Sequence, residues 1–473
     1  MRVVVIGAGV GGLGTALALS RQGHEVVVTE RDRTPLPGDP DEAFAWDRRG
    51  APQVRHSHAM LARLRNLVRD RFPDVLDALY AAGATDWPLT VRLPDTIDDP
   101  SPKPGDEDLV MLACRRTTFE WVLRRTVLAA PHVSLHDGVV VHGLLGRDGT
   151  VTGVHATVDG APHTFDADLV VAANGRRGDV PAWLADVDVH IDEIVEDTGI
   201  VYLSRFYRLR EGAEVPSDAG PIGGDLGYLK YATFIGDNRT FSVTFATPVD
   251  DDELRARLLD PVTFERAGRL LPATRPWVDA ARAEPITPVH IMAKLLNRLR
   301  RFTDDDGTPL VRGFAAVGDA HTCTNPLYGR GCSLAMVQAT LLGDAAARHE
   351  RDLDAIAADF ERASSQEIEP WYHAAVMADR DNRAATASID ADESDPRAFM
   401  RAVMRDGLAP AMRTDQAVLR AFLRTFNLLT SPDALMRDGD VVAKVLAAYN
   451  DRENRPPEPQ LGPASREELL AAL

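Results

Sequence analysis

The sequence predicts an α/β protein: a Rossmann-like domain, an inserted antiparallel sheet and a helical C-terminal region. Three observations predict it. The chain opens on a βαβ pattern with a glycine-rich turn. Its middle carries strand-like runs separated by turn signals. From Asp352 onward it is almost continuously helical in pattern.

The first element is Val3–Ile6, a β-branched apolar run that reads as a buried parallel strand. Gly7–Gly12 is the turn, Leu13–Gln22 reads as a helix, and Glu25–Thr29 as the second strand. Within the turn, Gly7-Ala8-Gly9-Val10-Gly11-Gly12 matches G-x-G-x-x-G, and Glu30 stands at the end of the second strand. That combination is a dinucleotide cradle. Gly7 permits the tight turn, Gly9 lets a pyrophosphate approach the backbone, and Gly12 lets helix and strand pack closely. Val10 and Gly11 complete the turn, and the helix that follows offers free N–H groups that suit phosphate. Glu30 suits ribose hydroxyls, with Arg31 beside it.

Apolar residues at Met60, Leu61, Leu64, Leu67, Val68 and Phe72 fall at helical spacing. Residues 93–108 are Pro- and Asp-rich and read as a surface loop. Phe119–Leu128 reads as a helix, Val133–Val171 as strands, and Ile200–Leu209 and Tyr228–Ala246 as a middle antiparallel sheet. Glu211–Gly227 reads as a loop between them. Phe314–Val317 is a further strand and Ser333–Arg348 a helix. In the C-terminal region Val418, Phe422 and Phe426 mark one apolar face, broken upstream by the acidic Ser388–Pro396. The tail, "RENRPPEPQLGP", reads as loosely held.

Size and charge bound the function. A chain of 473 residues calls for two or three structural units. The net charge of −18 disfavours nucleic acid and anionic membrane surfaces. No segment has the length and apolarity of a membrane span. The glycines of the N-terminal apolar run argue against a signal peptide. Three cysteines, Cys114, Cys323 and Cys332, without a CxxC pair, fit a reducing cytoplasm rather than a disulfide framework.

A second motif distinguishes the dinucleotide. Gly313–Ala345 reads "GFAAVGDAHTCTNPLYGRGCSLAMVQATLLGDA": a strand delivers Gly318-Asp319, a stiff loop follows at Asn325–Gly331, and a helix begins near Cys332. With the first motif, this resembles the class A FAD-dependent monooxygenases, the hydroxylase and squalene-epoxidase-like superfamily, and its bacterial epoxidase-hydroxylase members in particular. The resemblance covers residues 1–75, 110–185 and 285–375. It implies that Asp319 binds the ribityl chain and that Pro326, Gly329 and Gly331 lie beside the isoalloxazine. It implies that Arg116, or Arg115 if the register slips by one, contacts FAD. Arg330 stands where the family often carries Gln; it either stabilises an anionic flavin or points to solvent.

A third segment, "ADLVVAANGRRGDVPAWL", is similar to a family motif at Gly175, Arg176, Pro181 and Trp183. It departs from that motif at Ala172 and at Gly178-Asp179. The departures bear on reduction by a nicotinamide cofactor and leave FAD binding to the other motifs. Val141, on the strand before it, is a further FAD-contact candidate.

The resemblance implies these domains: FAD-binding, 1–75 plus 110–185 plus 285–365; substrate, 76–109 plus 186–284; C-terminal helical region, 366–455; tail, 456–473. It implies transfer of one oxygen atom from O₂, by hydroxylation or epoxidation through a flavin C4a-hydroperoxide. The acceptor would be an electron-rich small molecule of secondary metabolism, and NADPH or NADH the electron donor. The chain would act in the cytoplasm as a monomer or homodimer. Alternatives are a reductase or dehydrogenase, a non-redox flavin-binding cyclase, and a flavin halogenase. The last would need a positioned lysine and a W-x-W-x-I-P motif, which is absent. Substrate-lining candidates are Tyr202, Phe206, Tyr228, Tyr231 and Phe234, with Trp371 as a cap.

The stretch "RRGAPQVRHSHAML" (48–61) stays open. His56 and His58 are alternate residues, which on a strand could bind metal, but no Cys or carboxylate cluster completes a site. Either Arg49 holds FAD and His56 or His58 lies at the ring or substrate, or Ser57 is simply a helix N-cap.

Overall fold

The computed structural model describes every residue except 34, 92, 98, 217–222, 388–395 and 456–459; at 385–387, 396 and 397 only the backbone is described. The acidic break, the centre of the loop before residue 223 and part of the tail therefore lie outside the described residues.

The N-terminal βαβ unit forms as its sequence requires. Arg2–Ile6 pairs in parallel with Glu25–Glu30 on one side and Leu169–Ala172 on the other. Phe314–Ala316 and Val133–Asp137 complete a parallel sheet at its two edges. The strands are apolar because both faces are covered. The helices Val10–Ser20, Arg116–Ala129 and Gly331–His349 pack on one face with Leu13, Leu17, Phe119, Leu123 and Met336 buried. An antiparallel meander of Val139–Arg147, Thr150–Val158 and Ala161–Asp166 covers the other.

Between Leu169–Ala172 and Phe314–Ala316 the chain leaves to build the middle sheet, in the order 223–225, 230–235, 240–248, 200–209, 283–285, all antiparallel. His290–Met292 also pairs with Ile200–Leu209. This is the inserted sheet expected from the sequence. Its two faces are distinct. Leu203, Tyr207, Tyr231 and Phe245 point into a core closed by the helices Asp252–Leu259 and Pro261–Leu270. Tyr202, Ser204, Phe206, Ser242 and Thr244 alternate to the other face, toward the parallel-sheet domain.

Two expectations need correction. The tail stretch is held on both sides of 456–459: Arg455 donates to the Asp406 carbonyl at 2.7 Å, the Leu461 and Pro463 carbonyls accept from Tyr231 and Tyr228 at 2.8 and 2.7 Å, and the chain beyond forms the helix Arg466–Ala472 with Leu469 buried in the middle-sheet core. The helix after "HSHAM" spans Ala62–Arg71 with Leu61 as N-cap. Ser57 therefore caps nothing; its hydroxyl bonds Ser242 at 2.7 Å and Thr244 at 2.6 Å on the inner face of the sheet.

In the C-terminal region Val418 is buried and the Phe422 and Phe426 rings stack at 5.9 Å. Among the described residues no helix is long and apolar enough to cross a membrane.

Candidate functional site

A cleft opens where the first βαβ turn, the Gly318–Cys332 segment and the middle sheet meet. Gly7, Gly9, Val10 and Gly11 form one end with Glu30, Arg31 and Val139–Val141. Gly175, Arg176 and Gly318-Asp319 form its flank. Pro326, Gly329, Gly331 and Cys332 form the other end, facing Tyr202, Met292 and Leu296.

The glycines explain the first end. Gly7 has φ +105°, and a Cβ there would sit 2.6 Å from the Ala173 carbonyl oxygen. A Cβ on Gly12 would collide with the Gly7 carbonyl, so Gly12 serves the turn's packing and does not itself line the cleft. A Cβ on Gly9 would meet nothing, so its backbone faces open space. Two helices begin in the cleft, at Val10 and at Gly331, and neither has a side-chain N-cap. Their first N–H groups and positive dipole ends are directed to the same space.

Glu30 is 5% exposed and already engaged. It accepts from the Ala8 N–H at 3.1 Å, the Asp32 N–H at 3.0 Å and Arg48 at 3.2 Å. The arginine that reaches the cradle is thus Arg48, which also pairs with Glu120. Arg49 turns outward: its side chain is 85% exposed and pairs with Asp47 at 3.1 Å. The register at the next arginine pair is also settled. Arg115 turns away to Asp237 and Asp41, whereas Arg116 lines the cleft.

Arg116 bridges the second end. It lies 3.2 Å from the Cys332 Sγ, 3.4 Å from His58 Nε2 and 3.3 Å from Glu120. Burial opposes its charge, but Cys332, Glu120 and Asp319 hold its pKa above the usual value. Asp319 is pushed up by burial against the pull of Arg116, Arg176 and Arg298. Among the described residues no protein group donates a hydrogen bond to it.

The two histidines diverge, which removes the shared-metal arrangement. His58 lines the cleft, and its Nδ1 faces the His56 carbonyl oxygen at 2.9 Å. Nδ1 must therefore carry the proton, leaving Nε2 to accept from Arg116. His56 turns to the sheet, with Nδ1 3.4 Å from the Ser204 hydroxyl and its ring edge-on to Tyr202. Burial, then Arg116, lowers the His58 pKa to about 3; burial, then His290 and Arg176, lowers that of His56 to about 3. Both folded values lie below the unfolded one, so the stability they contribute is complete above pH 6.5. It is lost as pH falls from there toward 3. The expected slope is up to about 1.4 kcal/mol per pH unit for each histidine. Urea unfolding of His58→Gln across that window should show the slope reduced by one such unit; an unchanged slope would remove His58 from the account.

Of the substrate candidates, Tyr202 alone lines the cleft, and its hydroxyl lies 2.7 Å from the Met292 sulfur. Phe206 packs edge-on against Phe44 at 5.1 Å. Tyr228 and Tyr231 are excluded from the cleft: their hydroxyls donate to the Pro463 and Leu461 carbonyls of the tail at 2.7 and 2.8 Å. Phe234 packs against the cluster of Ala59 and Trp371. Trp371 stacks on Arg330, which does not line the cleft. Arg48, Gln53, Asn174, Arg176, Met292, Leu296 and Thr324 line it without having been candidates. Of these, only Arg176 carried a sequence signal, from the third motif.

The cleft fits FAD. Asn174 Oδ1 and Thr324 Oγ1 are buried there without partners. With the unpaired Asp319, the open Gly9 backbone and two uncapped helix starts, they supply acceptors and donors that a phosphate-and-polyol ligand would satisfy.

Comparison with known proteins agrees. Residues 2–46 match the FAD dependent oxidoreductase family. No curated protein sequence matches the chain. Among solved structures, PqsL, a probable FAD-dependent monooxygenase from Pseudomonas aeruginosa, superposes with a TM-score of 0.57 at 18% identity. It covers 82% of this chain and 97% of its own. The myxobacterial chondrochloren halogenase CndH gives 0.59 at 18% identity, over 93% and 98%. The flavin-dependent brominase Bmp2 gives 0.53 at 16% identity, over 95% and 93%. The N-terminal unit thus carries the signature of the FAD-dependent oxidoreductases, and the whole chain has the fold shared by flavin monooxygenases and flavin halogenases.

Proposed function

We propose that the protein is an FAD-dependent monooxygenase that inserts one oxygen atom from O₂ into an electron-rich small molecule, with NADPH or NADH as donor. The observation that carries this reading is the second end of the cleft. There the uncapped start of Gly331–His349 faces a small, largely apolar wall of Tyr202, Met292 and Leu296.

FAD supplies the redox and oxygen-activating chemistry when bound. The chain's residues supply the rest. With FAD bound, the Val10 helix start and the Gly9 backbone would hold the pyrophosphate. Glu30, held by Ala8, Asp32 and Arg48, would accept from the ribose, and Asp319 from the ribityl hydroxyls. The helix start at Gly331 would stabilise negative charge on the ring. Tyr202 and Met292 exclude water from the substrate side. His58, with Nδ1 bound to a carbonyl and Nε2 facing Arg116, acts as a fixed polar wall rather than a free base. Hydroxylation of a phenol benefits from a base and epoxidation needs none. This wall favours epoxidation or hydroxylation of a carbon already electron-rich.

The halogenase fold relatives raise a second reading. A halogenase requires a positioned lysine, and none of the four lysines lines the cleft; Lys103 pairs with Asp99 and Lys230 with Asp225.

The test uses the FAD-loaded protein. NADPH or NADH should bleach the flavin anaerobically, with or without candidate phenolic, terpenoid or polyketide substrates. Readmitted O₂ should be consumed in step with a product heavier by one oxygen. Bleaching with no gain of oxygen supports a reductase. Product of unchanged mass supports a cyclase. No bleaching under any condition sinks the monooxygenase reading.

A further inference from the structure

The loop that forms the second end of the cleft is held from behind by the helix Glu369–Ala387. Asp379 on that helix is 2% exposed. It accepts from the Asn325 amide at 2.7 Å, the Tyr328 hydroxyl at 2.9 Å and the Asn297 amide at 2.7 Å. Two turns earlier, the same helix presents Trp371. The Arg330 guanidinium lies 4.7 Å from the Trp371 ring centroid and 4.8 Å from that of Tyr328, so it is covered by two aromatic rings.

This cation is unusual in its company. Arg330 Nε and Nη1 are buried without hydrogen-bond partners, and among the described residues no carboxylate forms an ion pair with it. The acid whose field reaches it, Asp379, has its oxygens committed to three other donors. Burial lowers the Arg330 pKa to about 10, which leaves the group charged at neutral pH. Aromatic faces hold a cation through their quadrupole and do not neutralise it. Its charge therefore persists in a region of low dielectric, where it acts well beyond contact. Its chain neighbours on both sides, Gly329 and Gly331, line the cleft.

We propose that Arg330, fixed between Tyr328 and Trp371, is an electrostatic tuning residue that makes the bound flavin easier to reduce. It touches no reacting atom and acts through its charge, favouring the anionic reduced ring over the neutral oxidised one. The proposal rests on the FAD reading above. It gives this chain a reason to carry Arg where a neutral residue would leave the backbone unchanged. It also gives Trp371 a role distinct from capping a substrate.

The experiment measures the dissociation constants of oxidised and reduced FAD and the midpoint potential of the bound flavin. Arg330→Gln should raise the ratio of the reduced to the oxidised constant about tenfold, a fall in midpoint of about 30 mV. Arg330→Lys should keep most of the wild-type ratio. Trp371→Leu, which exposes one face of the guanidinium to water, should move the ratio in the same direction by less. It carries the test if Arg330→Gln does not fold. Equal weakening of both constants would reveal a purely structural role and overturn the proposal, as would an unchanged ratio. Failure of the wild-type chain to bind either form of FAD would instead overturn the FAD reading, and the proposal with it.

Discussion

Gly12→Ala is expected to yield a chain that holds no FAD and is destabilised by up to about 3 kcal/mol, the upper end for an overpacked site. The added methyl would collide with the Gly7 carbonyl oxygen and lie 3.3 Å from the Ala173 Cβ. Neither neighbour can yield. Gly7 sits at φ +105° with its N–H bound to the Thr29 carbonyl at 2.7 Å, and Ala173 follows a buried central strand. Relief would require moving the first helix away from the sheet, which displaces the uncapped N–H groups at the cleft. Gly9→Ala separates the two effects. Its Cβ meets nothing in the protein and its φ of −84° suits alanine, so folding should be unchanged. The methyl would project into the space the phosphates need, so FAD should still be lost. Urea unfolding of the apoproteins and flavin content after purification read both effects. A Gly12→Ala chain with a full complement of FAD and an unchanged midpoint would sink the account of the turn.

That turn was legible in the sequence because its chemistry is backbone chemistry. A close approach demands glycine whatever surrounds it, so spacing alone carries the signal. Asp319, Pro326, Gly329 and Gly331 were expected from the family resemblance instead, and all four line the cleft. The neighbouring arginines were not legible. Arg48 and Arg49 lie in a turn with no periodicity, and nothing local decides which one faces inward; the buried carboxylates that decide it come from residues 30, 32 and 120. The middle sheet illustrates a second limit. Alternation sorts Tyr202, Phe206 and Tyr231 onto faces, but both faces are buried, one by helices and the tail and the other by the flavin-side domain. Only the tertiary arrangement shows that Tyr231 belongs to the outer one. Met292 and Leu296 reach the cleft after more than a hundred residues of inserted chain, a return no local pattern announces.

Arg48→Met is the second large expected effect: a loss of about 3–5 kcal/mol, the range for removing one partner from a buried charged cluster. The Arg48 side chain is 2% exposed, pairs with Glu120, lies 3.2 Å from Glu30 and 3.7 Å from Asp32, and stacks at 5.2 Å over Trp46. Methionine fills similar volume and keeps the Trp46 contact, so the loss isolates charge. Glu120 would keep Arg116 at 3.3 Å, but Glu30 would keep only backbone donors. The cost is that of a buried negative charge left without its cation, and protonation removes that charge, so the deficit against wild type should be largest near neutrality and shrink toward acid. Adding Glu30→Gln should recover part of the loss by removing the carboxylate left without a cationic partner. Arg49→Ala, at an exposed site where the side chain pairs with Asp47, should stay within about 0.5 kcal/mol of wild type. If the two single variants unfolded alike, the buried cluster would hold no special place in the cradle. If Arg48→Met alone collapsed and released FAD, the second strand's acidic end would be shown to depend on a charge supplied from eighteen residues downstream.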